Sequence, residues 1–335
     1  MTLALIDLPF SDFPAWVLLI FLVFGFLALN YGGDRLTDGA VVIANAFHVN
    51  KVVIGLTIVS MATSMPEMMT SLLAAKASPG LAVGNILGSN IANIGLILGI
   101  TALIVPLTIQ PRLIRLEMPL LVAISGLFIL FAIGGYTRWE GVTMLAIMAV
   151  YLYFVVRWAK RDAAKTREAK ELLPDDPDED KPRSSMIGAL YVVLGSMFLA
   201  LGADTLVGTS VEIAARLGIS DVLIGLTIVA IGTSLPELAA SIAAARSGHE
   251  DICVGNIVGS NLFNILLIGG SVASFVPIPV DPKLFRVEFP AMMLILLIFL
   301  WLAKKRPQVS RGEGIFLLLM YVSILTVSGI FQIKF

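Results

Sequence analysis

Two glutamates, Glu67 and Glu237, stand inside long apolar runs, and each closes the same phrase. The first is Thr63-Ser64-Met65-Pro66-Glu67 and the second Thr233-Ser234-Leu235-Pro236-Glu237, both preceded by Ile-Gly-Leu-Thr-Ile-Val. An acidic side chain at the centre of a membrane helix costs on the order of 2.5–3.5 kcal/mol, so a chain that carries two in the same context is using the charge. Proline lacks a backbone donor and clashes with the carbonyl one turn back, which predicts a break in each helix just before its glutamate. Carbonyls freed at a break are tolerated at membrane depth only where they are buried in protein or line a wet cavity. Carbonyls, hydroxyls and a carboxylate are the oxygen ligands that hard cations take. Each stretch reads as half of a cation site.

The neighbouring residues extend the pattern. At about 3.6 residues per turn, Thr57, Ser60, Ser64, Glu67 and Ser71 share a helix face, with Thr63 one turn before Glu67. Thr227, Ala230, Ser234, Glu237 and Ser241 repeat the stripe, with Thr233 beside it. Downstream, Asn85, Ser89 and Asn93 recur at every fourth position, and Asn256, Ser260 and Asn264 match them. A single polar residue of this kind is ordinarily an interhelical hydrogen bond, helped by close packing of small residues such as Gly84, Gly88 and Gly95. Four matched stripes, two of them centred on a glutamate, read instead as the lining of a cation pathway. If the glutamates converge to about 5 Å they repel by roughly 3 kcal/mol at an effective dielectric of ~20. A divalent ion, several monovalent ions or a proton must then neutralise them. Calcium accepts about 6–8 oxygens in loose geometry, whereas magnesium demands a tight octahedron and fits less naturally. Sodium can use the same carboxylates with serine, threonine and asparagine oxygens.

The elements that position these residues are membrane spans. Of 335 residues 58% are hydrophobic and 14% charged, and the mean hydropathy is +0.93, well outside the range of soluble domains. With about 20 apolar residues needed per crossing, about ten spans are expected. The first runs from near Pro14, in one tilted helix, to Phe47; the second carries the first glutamate from Lys51 to Lys76; the third covers 81–105, the fourth 113–133, and the fifth follows Arg138 as far as Trp158. The net charge of −1 hides a division, because the charges sit between the spans. The single cysteine, Cys253, excludes an intrachain disulfide and cannot form a thiolate metal site alone. His48 and His249 fall near expected helix ends with no partner at ligand spacing. The first 13 residues lack a basic n-region and a small-residue cleavage site, so no removable signal peptide is expected.

Residues 160–185 differ from the rest. A basic stretch (Lys160, Arg161, Lys165, Arg167, Lys170) gives way to an acidic run at 175–180, with too few apolar residues for a core. A short helical extension and a solvated linker are expected, since the run lacks the glycine and closing glutamate of an EF-hand loop. Beyond it the first half repeats: Asp34 and Asp204 are offset by 170 residues, as are Glu67 and Glu237, while Asn93 and Asn264 are offset by 171. The chain therefore divides into a first half at 1–159, a charged linker at 160–185 and a second half at 186–335. Two halves of about five spans must enter the bilayer in opposite senses, giving an all-α integral membrane protein with two inverted-topology repeats. The bias of Lys and Arg places the linker in the cytoplasm and both termini outside.

The paired Thr-Ser-x-Pro-Glu and Gly-Asn-x-x-Gly-Ser-Asn-x-x-Asn motifs resemble the two alpha-repeats of the cation/calcium exchanger superfamily, closest to its sodium/calcium exchanger branch of prokaryotic type. The resemblance covers essentially all the spans. It implies that Glu67 and Glu237 are the central calcium ligands and that Thr63 and Thr233 contribute backbone carbonyls. Ser64, Ser234, Ser89 and Ser260 would bind sodium with the carbonyls of Ser60 and Ala230, and Asn93 and Asn264 would complete the middle of the site. The implied protein is a secondary antiporter in the inner membrane of a prokaryote. It is not an enzyme and holds no resident cofactor. Its partners are calcium, sodium and the bilayer, without nucleic acid or an obligatory protein partner. Some family members carry aspartate where Asn93 or Asn264 stands here. The linker is too short for the regulatory calcium-binding domains of animal exchangers, which implies a minimal exchanger.

Three other readings were weighed. A proton/calcium exchanger would use the same glutamates to carry protons, but the abundance of hydroxyl and amide ligands favours sodium. An intramembrane aspartyl protease would use Asp34 and Asp204 as a proton-sharing pair. However, Tyr31 stands where that family's Gly-x-Gly-Asp sequence needs its first glycine, and the two aspartates are expected to cap or pair near helix ends. A passive channel has no need of a site that binds ions from each side in turn.

Overall fold

The computed structural model describes residues 10–77, 79–171, 184–218 and 230–334. They form α1 (Ala15–Phe47), α2 (51–77), α3 (79–104), α4 (Leu113–Phe131) and α5 (Arg138–Glu171), then α6 (Ser185–Arg216), α7 (Leu235–Arg246), α8 (Glu250–Phe275), α9 (Glu288–Lys305) and α10 (Arg311–Lys334). Nine helices among the described residues are long and apolar enough to cross a membrane. The tenth expected span contains α7; the stretch before it, 219–229 with Thr227, lies outside the described residues. So do residues 1–9 and the acidic run at 175–180. The fifth helix continues past Trp158 as the expected helical extension.

The connections fall on two faces. On one, β1 (Leu107–Thr108) pairs antiparallel with β2 (Gln308–Val309), and Asn50 Nδ2 donates to Gln110 Oε1 at 3.3 Å. The Thr108 amide donates to Glu250 Oε2 at 2.6 Å, and the Arg112 guanidinium lies 3.7 Å over the Trp158 ring. This face gathers the end of α5 and the start of α6. On the other, Tyr136 bridges Ile278, and Arg216 at the end of α6 donates to the carbonyls of Phe10, Ser11 and Phe13. Successive helices alternate in direction, and because each half has five, α1 and α6 begin on opposite faces. The repeats are inverted.

The two long helices show how this inversion is packed. Gly25, Gly32 and Gly39 of α1 recur at sevens, as do Gly188, Gly195 and Gly202 of α6. They meet head to tail: an added Cβ would lie 3.0 Å from the Gly202 carbonyl at Gly25, 2.8 Å from that of Gly195 at Gly32 and 2.7 Å from that of Gly188 at Gly39. Close backbone approach of this kind is what associates helices in lipid, where apolar side chains gain little by leaving one oily phase for another. Side chains on the outer surfaces, such as Leu19, Val23, Leu27, Leu190 and Met197, are exposed and apolar. At 33 residues α1 is about 50 Å long, longer than the hydrocarbon core, so it crosses tilted.

Both histidines sit at helix ends as expected. His48 closes α1 in the left-handed conformation (φ 55), and His249 precedes the first turn of α8. Asp34 and Asp204 do not. They lie in the interiors of α1 and α6. The helix continues through Tyr31-Gly-Gly33 with both glycines packed, Gly32 against α6 and Gly33 against α7, where an added Cβ would lie 2.8 Å from the Ala239 carbonyl. Of the three small residues expected to pack closely on α3, Gly95 does so, against Tyr321 and Ile295. Gly84 and Gly88 are exposed, with no described atom near their Cβ positions.

Candidate cation site

Four helices meet at the centre: α2 and α3 from the first repeat, α7 and α8 from the second. The α2 helix opens with a wide turn, Gly55–Val59, and lies against α8 through glycines. An added Cβ would sit 2.6 Å from the Ile252 carbonyl at Gly55 and 2.8 Å from the Leu56 carbonyl at Gly259. Two further wide turns begin at the two asparagines, Asn93–Ile97 in α3 and Asn264–Gly269 in α8. Turns of this kind disturb the hydrogen-bond ladder and recur at functional sites. Sequence periodicity gave no signal for them.

The proline break occurs in one repeat only. In the second, the short helix Ala230–Gly232 ends, Thr233 and Ser234 form a turn, and α7 restarts at Leu235 with Pro236 in its first turn, where a missing N–H costs nothing. In the first, the helix runs unbroken through Pro66, contrary to expectation. One interior proline removes one ladder bond, and membrane helices absorb that where side-chain hydroxyls and neighbouring helices re-satisfy the backbone. Here the stretch just before Pro66 is packed closely against α8.

The predicted residues come together. Ser60, Thr63, Ser64, Glu67, Ser89, Asn93, Ser234, Glu237, Ser260 and Asn264 are all buried, none more than 4% exposed. Thr233 is half-buried, and Ala230 lies in the short helix before the turn. Each glutamate is held from the opposite repeat. Ser64 Oγ donates to Glu237 Oε1 at 3.2 Å. The Asn264 amide, oriented with its nitrogen toward the acceptors, donates to Glu67 Oε2 and to the Ser260 carbonyl, each at 3.2 Å. Ser89 lies beside the Glu67 carboxylate, and the two glutamates feel each other's charge. What is left over is a set of buried atoms without a hydrogen-bond partner among the described residues: Glu67 Oε1, Glu237 Oε2, Ser234 Oγ and both ends of the Asn93 amide. Orphaned buried polar atoms are costly, and oxygens of this type are what a dehydrated hard cation needs. Among the described residues no three His, Cys, Asp or Glu side chains cluster, so a cation here must draw on neutral oxygens as well as the two carboxylates.

Comparison with known proteins agrees with this geometry. Residues 17–157 and 187–329 match the family described as sodium/calcium exchanger protein. The chain is 36% identical over 302 residues to the inner membrane protein YrbG of Escherichia coli, with 88% of this chain and 92% of that protein covered. It is 31% identical over 340 residues to the sodium/calcium exchanger MaX1 of Methanosarcina acetivorans, with coverage of 92% and 97%. Among solved structures, the sodium/calcium exchanger from Methanococcus jannaschii superimposes with a TM-score of 0.79 at 28% identity, over 93% of this chain and 98% of that one. The molecule is an integral membrane cation antiporter with inverted repeats, and it belongs to the sodium/calcium exchanger family.

Proposed function

We propose that this protein exchanges calcium for sodium by alternating access, at a central site built from Glu67 and Glu237. The observation that carries the reading is the convergence of two buried carboxylates from opposite repeats, each with an oxygen left unpartnered. One calcium or two sodium ions balance their charge of −2. In this reading Thr63 and Thr233 supply backbone carbonyls to calcium. Ser64, Ser89, Ser234 and Ser260, with the carbonyls of Ser60 and Ala230, take sodium. Asn93 and Asn264 complete the middle of the site without adding charge. The functional units are the halves 1–159 and 186–335, joined by the linker 160–185. Orientation follows from Lys51, Arg112, Arg115, Lys160, Arg161, Lys304, Lys305, Arg306 and Arg311 on the linker face against Lys76, Arg138, Arg216, Lys283, Arg286 and Lys334 on the other. Positive residues favour the cytoplasm, so the linker is cytoplasmic, both termini are outside, and the membrane is the inner one of a prokaryote.

One observation favours a second reading. A proton on one of two neighbouring buried carboxylates relieves their repulsion as a cation does, and the same pair would then run proton/calcium exchange. The residue assignment is tested with Glu67→Gln and Glu237→Gln in reconstituted vesicles. Each variant, inserted and monodisperse, is expected to lose calcium exchange. Transport by either at the parent rate would remove the central-site assignment.

A further inference from the structure

Asn256 is a buried polar side chain at the centre that the ligand set above leaves out. Asn256 on α8 is fully buried and stands one turn before Ser260. Its amide nitrogen donates to Ser241 Oγ on α7 at 3.2 Å, which fixes the sense of the amide and turns its oxygen the other way. That oxygen faces two hydroxyls, Thr63 from the first repeat at 3.4 Å and Ser260 from the second at 3.5 Å. The Asn256 backbone carbonyl also accepts from Ser60 Oγ at 3.0 Å. One residue thus touches both repeats at the site.

A hydroxyl carries one hydrogen and two acceptor lone pairs. The Ser260 hydrogen goes to Asn256 and the Thr63 hydrogen is shared between Asn256 and the Ser60 carbonyl, 3.3 Å away, so the lone pairs of both hydroxyls are turned elsewhere and are free for a cation. Without that acceptor the Ser260 hydrogen can swing toward the ion's position and oppose it, and Thr63 loses one of the two groups that orient it.

We infer that Asn256 is a positioning residue of the exchange site, holding the hydroxyls of Ser260 and Thr63, one from each repeat, in the orientation that sodium needs. The inference rests on the proposed site and adds to it a residue outside the ligand set. It is tested by calcium efflux from reconstituted vesicles, titrated with sodium and separately with calcium. Asn256→Leu is expected to raise the half-maximal sodium concentration about fivefold, the counterpart of one lost hydrogen bond of ~1 kcal/mol, and to shift that for calcium by less than about twofold. Asn256→Asp keeps an acceptor oxygen in place and is expected to hold the sodium requirement at or below the parent's. In a Thr63→Val/Ser260→Ala background, Asn256→Leu is expected to add nothing, because the groups it acts through are gone. Should Asn256→Leu fail to insert, Asn256→Ala is read in the same way. Equal shifts for sodium and calcium, equal shifts in the Leu and Asp variants, or an undiminished shift in the double-variant background would each overturn the inference. Glu67→Gln measured alongside separates the two levels. If it exchanges normally, the proposed site itself fails; if it is silent while Asn256→Leu titrates like the parent, only the role of Asn256 fails.

Discussion

Replacing Asn264 by aspartate puts a third carboxylate where the site now has a hydrogen-bond donor. The Asn264 amide donates to Glu67 Oε2 at 3.2 Å, so the variant exchanges an attraction for a repulsion at that contact. Two unit charges 3.2 Å apart repel by about 5 kcal/mol at an effective dielectric of ~20. That is several times the ~1.4 kcal/mol that changes an equilibrium constant tenfold, so the variant cannot carry three bare carboxylates. It must take up a proton or another monovalent cation. Because calcium already has Glu67 and Glu237, its apparent affinity should change less than the sodium dependence does. The assay is sodium-driven calcium efflux from vesicles, titrated at several pH values for parent and Asn264→Asp. The expected result is a shifted or steeper sodium curve for the variant and a pH dependence that the parent lacks. Superimposable curves at every pH would mean that Asn264 takes no part in coupling, and the charge argument would fall with it.

Three further outcomes follow from the packing. Gly195→Val places a Cβ within 2.5 Å of the Leu36 amide nitrogen and 2.8 Å of the Gly32 carbonyl; overpacking of ~1–3 kcal/mol or more should lower the thermal midpoint in detergent, whereas an unchanged midpoint would show that the α1–α6 contact is slack. Arg112→Gln strands Glu117, fully buried and paired with Arg112 at 2.8 Å; a loss of about 3–5 kcal/mol, largely recovered in Arg112→Gln/Glu117→Gln, would be read by thermal unfolding. His249, on the linker face, has its imidazole pKa lowered by burial first and then by Lys51, whose Nζ is 3.2 Å from Nδ1, with Asp251 and Asp38 pulling the other way. A lowered imidazole contributes stability at pH values above its ordinary range and loses it as pH falls through the depressed value. Acidification should therefore lower the midpoint of the parent more than that of His249→Gln, and equal slopes would refute it.

The sequence carried most of what positions the site, for reasons that can be named. Charge inside a membrane run is so costly that Glu67 and Glu237 announced themselves, and the offset between the copies reported the inverted repeat before any packing was known. What was not legible depends on contacts between segments far apart in the chain. Local rules place a break at Pro66, but the helix, packed against α8, runs through it. The wide turns at Asn93 and Asn264 leave no trace in a hydrophobic pattern. The glycines recurring at sevens in α1 and α6 are a readable signal of close antiparallel packing. Asp34 and Asp204 stand inside α1 and α6 rather than near their ends, because the glycines beside them are buried contacts between helices.

The central claim is that sodium, not a proton, returns through the site that carries calcium. The most direct measurement loads reconstituted vesicles with calcium and follows its release. Addition of external sodium is expected to discharge the calcium, a pH jump without sodium is expected to release little, and Glu67→Gln vesicles are expected to do neither. Calcium release driven by protons and indifferent to sodium would contradict the account and transfer the same two glutamates to proton/calcium exchange.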